Sequence, residues 1–254
     1  MLIRSSHRLR HCGRWSAYRN VVGAARAVDS AAAGLGKPGG AAVLDEPFFG
    51  YYITRRGPTR PGRERFLPHD WQTVVRQLDG PIPDARPIWY QKHHALHLSG
   101  EVPRDWMDRV TNCFLIRDPR LVVRSYSQIR TRFAATDLGY PQLTELFEYL
   151  RARTGFAPLV IDAGELARRP RAYLASMCAA LAVDFDERML RWPAGRRATD
   201  PELGDPWYAS VQISTGFFAH PEPCKVTVSD RYANVIAECM PHYQRLYDYR
   251  LECS

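Results

Sequence analysis

Thr111 to Tyr126 reads TNCFLIRDPRLVVRSY. Cys113-Phe114-Leu115-Ile116 is a short apolar run closed by a turn signal, the pattern of a buried strand. Asp118-Pro119 supplies the turn. The residue before a proline is pushed out of the helical region, and proline itself is favoured in the first turn of a helix. From Arg120 to Ile129, Leu121, Val122, Tyr126 and Ile129 recur close to helical spacing, so a helix follows the strand. Arg117 falls at the carboxyl end of that strand and Ser125 lies along the helix. In open α/β sheets this end of the strands is where ligands bind. A guanidinium and a hydroxyl brought together there suit an anionic oxygen cluster such as a phosphate.

Similar units lie on both sides. Val43-Leu44 ends a strand and Asp45-Glu46-Pro47-Phe48 forms its turn. Asp70 to Leu78 has helical spacing, with Asp70 as its N-cap. Pro87 to Lys92 is a short aromatic strand, and Gln142 to Thr154 is an amphipathic helix after a loop at 137–141. Pro158 to Asp162 is another buried strand, followed by a helix start at 163–166 and helices at 171–181, from 185 and at 230–251. Alternating strands and helices with fully apolar strands predict an α/β fold: a central, mostly parallel sheet in three α/β/α layers. No internal repeat is present. Residues 54–70 are rich in Arg, Pro and Gly and read as a mobile loop, a candidate substrate lid. Residues 31–42 are rich in Ala and Gly and read as a linker. The expected division is a poorly ordered or degenerate N-terminal segment at 1–40 and a single domain at 41–254.

The chain has 254 residues and a formal net charge of +8. That is long enough for a real core. The basic balance suits an anionic ligand, an acidic substrate or a nucleic acid. The arginines are dispersed, and no zinc-finger, RNP or helix-turn-helix signature accompanies them, so nucleic acid is not the expected partner. No apolar run approaches the length of a membrane span. The six cysteines form no C-x-x-C pair and no zinc-ligand spacing. Cys113 and Cys178 fall in apolar segments and read as core residues, and the pattern favours a reducing, cytoplasmic setting. Met1 to Val28 holds six arginines and no acid, a composition also found in organelle transit peptides.

The strand at 87–92 runs into Lys92-His93-His94-Ala95-Leu96-His97. Histidine suits proton transfer because its unperturbed pKa lies near neutrality. The bland alternative is a set of surface histidines at a helix start. A metal reading would use His93, His97 and Glu101, at i, i+4 and i+8. Ser99-Gly100 interrupts that face and there is no H-E-x-x-H, so no metal site is expected.

R-D-P followed by Ser eight residues after the Arg resembles the 3′-phosphate motif of sulfotransferases, enzymes that use 3′-phosphoadenosine 5′-phosphosulfate. DEPF at 45–48, KHHALH at 92–97 and the run W-Y-A-S-V…S-T-G-F at 207–217 occur in the order of the bacterial and fungal branch of that family. The resemblance implies a fold of the P-loop nucleoside triphosphate hydrolase type. It implies that Arg117 and Ser125 hold the 3′-phosphate and that Ser214 and Thr215 close over the nucleotide. A histidine would be the general base, His94 and His93 ahead of His97, with Lys92 balancing charge on the bridging oxygen. W-S-A-Y-R-N at 15–20 is similar to the first half of the branch's W-S-G-P-R-N-x-S-T loop, which implies Arg19 and Asn20 at the 5′-phosphate. The loop departs from the pattern: Ala17-Tyr18 replace Gly-Pro, and Val22-Gly23 replace the two hydroxyl residues.

The implied reaction moves a sulfuryl group to the hydroxyl or amine of a small-molecule acceptor. The departure at residues 17–23 keeps open a non-catalytic relative that has lost its 5′-phosphate loop. A basic polyanion-binding protein is the third alternative.

Overall fold

The computed structural model describes residues 2–5, 41–55, 70–98, 100–195, 212–218 and 223–253. Five strands among these residues form one sheet: β1 (Leu2–Ser5), β2 (Ala41–Asp45), β3 (Ile88–Lys92), β4 (Thr111–Ile116) and β5 (Leu159–Asp162). Their spatial order is β2-β3-β1-β4-β5. β2 runs parallel to β3, and β4 to β5. β1 lies between the two pairs and is antiparallel to both β3 and β4. Four strands therefore share one direction, and their carboxyl ends meet at one edge of the sheet.

Strand residues alternate between two cores. On β4, Phe114 and Ile116 face one apolar cluster, and Cys113 and Leu115 face the other. Val160 and Ile161 divide in the same way on β5. The first cluster is closed by α2 (Trp71–Asp79), α3 (Pro119–Ser127), α5 (Tyr140–Thr154) and α8 (Ala233–Tyr247). The second is closed by α6 (Ala163–Arg168) and α7 (Pro170–Ala180). Two shorter helices, α1 (Phe49–Arg55) and α4 (Ala135–Leu138), pack near the carboxyl edge. A strand apolar on both faces is what a sheet covered on both sides requires, and three α/β/α layers follow.

Most local readings match the structure. Asp70 caps α2 by accepting the Thr73 N–H at 2.6 Å. Asp118 caps α3 with Pro119 in its first turn. Other expectations are corrected. Ala41 and Ala42, read as the end of a linker, pair with Ile88 and Trp89 as the first rungs of β2. Backbone pairing with a buried neighbour outweighs the weak strand preference of alanine. Asp137 and Leu138, read as loop, belong to the helical turn α4, which Gly139 ends at φ 78°. The segment from residue 185 forms only a short 3₁₀ turn, Glu187–Leu190. Within the segment 1–40, Leu2–Ser5 occupies the sheet centre, whereas residues 6–40 lie outside the described residues, as do 56–69 of the loop read as a lid.

The Phe114 and Phe147 rings meet edge to face at 5.4 Å between centroids, both fully buried. Phe114→Ala removes that pair and leaves a cavity between β4 and α5. The expected loss is about 3–5 kcal/mol, read as a lowered urea midpoint with unchanged slope. A loss below about 1 kcal/mol would mean that the site collapses without cost.

Candidate active site at the carboxyl edge of the sheet

Each of the four co-directional strands ends in, or is directly followed by, a charged residue. β2 ends at Asp45, β3 at Lys92 and β5 at Asp162, and Arg117 directly follows β4. The parallel register sets Asp45 opposite Lys92. Their side chains meet at 2.5 Å, with the Lys92 ammonium also 3.2 Å from Glu46. Glu46 is held in a tight turn at φ 44°, a backbone region that non-glycine residues seldom occupy. Its N–H donates to the Lys92 carbonyl at 2.8 Å, and its own carbonyl accepts from Phe49 at 2.9 Å. Burial opposes the charge of Glu46, but Lys92, His97 and His94 together hold its carboxyl down at about 2.

The three histidines are buried, contrary to the surface alternative. A turn at Ala95–Leu98, closed by the His97 N–H donating to the His94 carbonyl at 2.9 Å, folds them back on the edge of the sheet. His93 lies between Phe48 and Trp106, with its Nε2 3.4 Å from the Gln91 side-chain oxygen. His94 Nδ1 accepts the Leu96 N–H at 3.1 Å. His97 packs against the ring of Tyr52 at 4.5 Å and that of His94 at 4.9 Å, with Nδ1 4.0 Å from Glu46 Oε2.

Arg117 is 2% exposed. Its Nε and Nη1 are buried with no hydrogen-bond partner. Its carbonyl accepts the Tyr140 hydroxyl at 2.6 Å. Burial pulls the guanidinium down to about 10, with Tyr140, Asp162 and Asp118 opposing that shift. At neutral pH it remains charged. The two neighbouring carboxylates are engaged elsewhere. Asp118 accepts from Arg120. Asp162 accepts from the N–H groups of Gly164 and Glu165 and from the Tyr243 hydroxyl. Buried polar groups almost always have partners, so a buried guanidinium lacking them on two nitrogens fits a ligand with paired anionic oxygens. Ser125 is half-buried on α3, next to buried Tyr126.

The structure thus gathers Lys92, His93, His94 and His97 in one buried cluster and sets Arg117 on the same edge. Gly139-Tyr140 touches both parts. The Tyr140 hydroxyl holds the Arg117 carbonyl, and a Cβ on Gly139 would stand 3.5 Å from the His94 ring. Ser214 and Thr215 instead meet Arg191-Trp192. Ser214 Oγ accepts the Trp192 indole N–H at 3.0 Å, and the Thr215 carbonyl accepts the Trp192 backbone N–H at 3.1 Å. Arg19, Asn20 and the Trp207-Tyr208 segment lie outside the described residues. Among the described residues no group of three or more His, Cys, Asp or Glu side chains could hold a metal ion. From sequence, the resemblance of D-E-P-F puts the Asp45 and Glu46 carboxylates at the ligand end of the sheet without a role, and Tyr140 is not singled out. The D-E-P turn pointed toward Glu46, whereas nothing local marks Tyr140, whose partner lies 23 residues away.

An α/β protein with buried cations and histidines at the carboxyl edge of a mostly parallel sheet offers a candidate site for an anionic group there. A sulfotransferase domain model matches residues 13–249, and the chain belongs to that family. Branched-chain-amino-acid aminotransferase-like protein 2 of Arabidopsis thaliana is 29% identical over 207 residues, 80% of this chain and 36% of that protein. The similarly titled protein 1 is 29% identical over 210 residues, 80% of this chain and 37% of its own. The chain thus spans about a third of the length of these relatives. The sulfotransferase domain of the Synechococcus PCC 7002 olefin synthase is 17% identical and covers 80% of this chain and 75% of its own, at a TM-score of 0.43.

The depressed carboxyl of Glu46 links the site to stability. Its folded value lies below the ordinary 4.5, so its contribution is complete above about 4.5 and is lost as pH falls toward about 2. Urea unfolding of the wild type should weaken more steeply across that window than unfolding of Glu46→Gln. Equal slopes would show that Glu46 is not held ionised by Lys92.

Proposed function

We propose that this chain is a sulfotransferase that takes a sulfuryl group from 3′-phosphoadenosine 5′-phosphosulfate to the hydroxyl or amine of a small-molecule acceptor. The observation that carries the reading is Arg117, a fully buried guanidinium with two unpartnered nitrogens at the ligand end of a parallel strand. Arg117 and Ser125 would hold the nucleotide's 3′-phosphate. Arg19 and Asn20 are assigned to the 5′ side on sequence resemblance alone. Ser214 and Thr215, which meet Trp192, are assigned to the nucleotide on sequence resemblance alone.

The donor, when bound, supplies a sulfuryl group on a phosphate leaving group. The chain's own residues do the rest. One histidine of the 93–97 turn accepts the proton that the acceptor loses as its oxygen or nitrogen bonds to sulfur. Lys92, held ready by Asp45 and Glu46, stabilises the negative charge that collects on the departing bridging oxygen. Burial strengthens both effects, because charges interact more strongly where water is excluded. Positioning and charge stabilisation carry the rate, as in phosphoryl transfer. A cytoplasmic setting accords with the free thiols of Cys113, Cys178, Cys239 and Cys253, and among the described residues no helix is long and apolar enough to cross a membrane.

A second reading, a sulfotransferase fold without turnover, draws on two observations. Residues 17–23 lack the hydroxyls of the family loop. β1 also runs toward the edge opposite Lys92, since Ser5 pairs with Ile88 and Leu2 with Gln91. The polyanion reading has less to draw on. Arg104, Arg109, Arg153 and Arg245 all face acidic partners across the surface.

Calorimetric titration with adenosine 3′,5′-bisphosphate tests the assignment, with Arg117→Met as the informative variant. Removing an unsatisfied buried cation should raise the stability of the ligand-free protein by about 1–3 kcal/mol. The same change should abolish bisphosphate binding and the thermal shift it causes. Binding unchanged in Arg117→Met would reject the nucleotide site. Wild-type binding without sulfuryl transfer to any acceptor would select the second reading.

A further inference from the structure

We propose that the turn after α3 is a docking surface for an acidic protein partner. Arg130, Arg132 and Arg231 gather there around the exposed side chain of Ile129. The inference stands on surface chemistry and does not depend on the reaction proposed above.

Residues 119–136 include Arg120, Arg124, Arg130 and Arg132, and neither an acid nor a lysine. Arg120 meets Asp118. Arg124, Arg130 and Arg132 are exposed, and none makes an ion pair among the described residues. The same holds for Arg231, in the turn before α8, whose guanidinium lies over the Tyr232 ring at 4.5 Å from its centroid. Elsewhere the surface behaves differently: Arg104, Arg109, Arg153, Arg171, Arg188 and Arg245 each meet a carboxylate. The acids that flank the basic stretches do not neutralise them. Asp137 caps α4 by accepting the Ala134 N–H at 3.0 Å, and Asp230 is exposed and pairs with none of the four arginines.

These cations are held together by a fixed base. The Ile129 and Arg130 N–H groups both donate to the Tyr126 carbonyl, at 3.0 and 2.9 Å, and so continue α3 by a turn. Thr131 stands between Arg130 and Arg132, and its carbonyl accepts the Tyr232 hydroxyl at 3.1 Å. The Phe133 ring meets Tyr126 edge to face at 4.6 Å and stacks on Tyr232 at 4.9 Å. Tyr126 and Tyr232 are buried. They pin the turn from beneath, and Tyr232 brings Arg231 to the same place from a distant part of the chain. Ile129 is 39% exposed beside them.

That composition selects the class of partner. Protein interfaces are rich in arginine and aromatic residues and poor in lysine and acids, with apolar centres inside polar rims. A bare polyanion would use the arginines and leave Ile129 in water. A second copy meeting this face about a two-fold axis would set arginine against arginine. An acidic protein surface with an apolar recess uses the arginines and Ile129 together. The segment that carries the face starts beside Arg117 and ends at Gly139, where a Cβ would stand 3.5 Å from the His94 ring. A partner seated on the turn is about 15–20 Å along α3 from the carboxyl edge.

The photo-crosslinking residue p-benzoylphenylalanine at position 129 of the full chain, expressed in cells of its native source, tests this. The same group at position 156, where Phe156 is exposed, is the control. Position 129 should give one protein adduct that position 156 does not, and the crosslinked peptide should come from a stretch rich in Asp and Glu. Arg130→Glu with Arg132→Glu should lower the yield at least about tenfold. Arg231→Glu, on a separate element, should lower it as well. The purified charge-reversed chains should keep the wild-type melting midpoint and the wild-type response to adenosine 3′,5′-bisphosphate, which places the loss at the surface. Absence of an adduct at 129, or equal adducts at 129 and 156, would overturn the inference. So would a yield that survives charge reversal. An adduct with a second copy of this chain, with nucleic acid or with a polysaccharide would reject the acidic protein as the occupant.

Discussion

The contact between Lys92 and the Asp45-Glu46 pair is the constraint on which the carboxyl edge depends. An ammonium cannot be buried there uncompensated, because removing a charge from water costs several kcal/mol. The parallel register of β2 and β3 supplies the compensation, since it sets Asp45 opposite Lys92 at the last rung. A shift of one residue would turn the side chains to the other face of the sheet. It would also break the Glu46 N–H bond to the Lys92 carbonyl. Register, ion pair and turn are thus one device. The strained backbone of Glu46 persists because all three hold it, and the position of His97 follows from that turn.

The other half of the edge uses burial in the opposite sense. Arg117 is enclosed without being fully paired, although Asp118 and Asp162 stand close to it. Each carboxylate is occupied: Asp118 caps α3 and binds Arg120, and Asp162 caps α6 and accepts from Tyr243. Helix caps usually serve stability alone. Here they also keep two anions from neutralising the guanidinium. The unspent hydrogen-bonding capacity weakens the ligand-free protein, and on the proposed reading an anion would recover it. Gly139 and Tyr140 join the two halves, with one residue against His94 and the next bonded to the Arg117 carbonyl.

The fold was legible in the sequence wherever local chemistry and the tertiary structure agree. Cys113 to Pro119 reads as strand and turn because both faces of β4 are apolar and Asp-Pro marks the boundary. Asp70 and Asp118 read as caps for similar local reasons. Ala41 and Ala42 misled because alanine carries no strand signal, and only pairing with β3 makes them strand. The site was legible as residue types: Lys92, the three histidines and Arg117 all stand on the carboxyl edge. Their roles were less so. The resemblance ranks His94 and His93 first, but a backbone N–H two residues away engages His94 Nδ1, and a carboxylate 51 positions back in the chain faces His97.

The same reasoning explains how catalysis could tolerate change at one end of the site and not at the other. The cluster of Lys92, Glu46 and His97 is self-supporting. The Lys92–Asp45, Lys92–Glu46 and Glu46–His97 contacts and the Tyr52–His97 ring contact lie within residues 45–97. Arg117 is held independently, by β4 and by the Tyr140 hydroxyl. On the proposed reading, a chain that lost 5′-phosphate contacts would keep Arg117 for the 3′ side of the nucleotide. Transfer, however, needs the sulfuryl group aligned with the base, and misplacement of a reacting atom by about 1 Å can cost 10²-fold. Binding and turnover are therefore separable in this architecture. On the proposed reading, altered residues at 17–23 would lower the rate before they lowered nucleotide affinity.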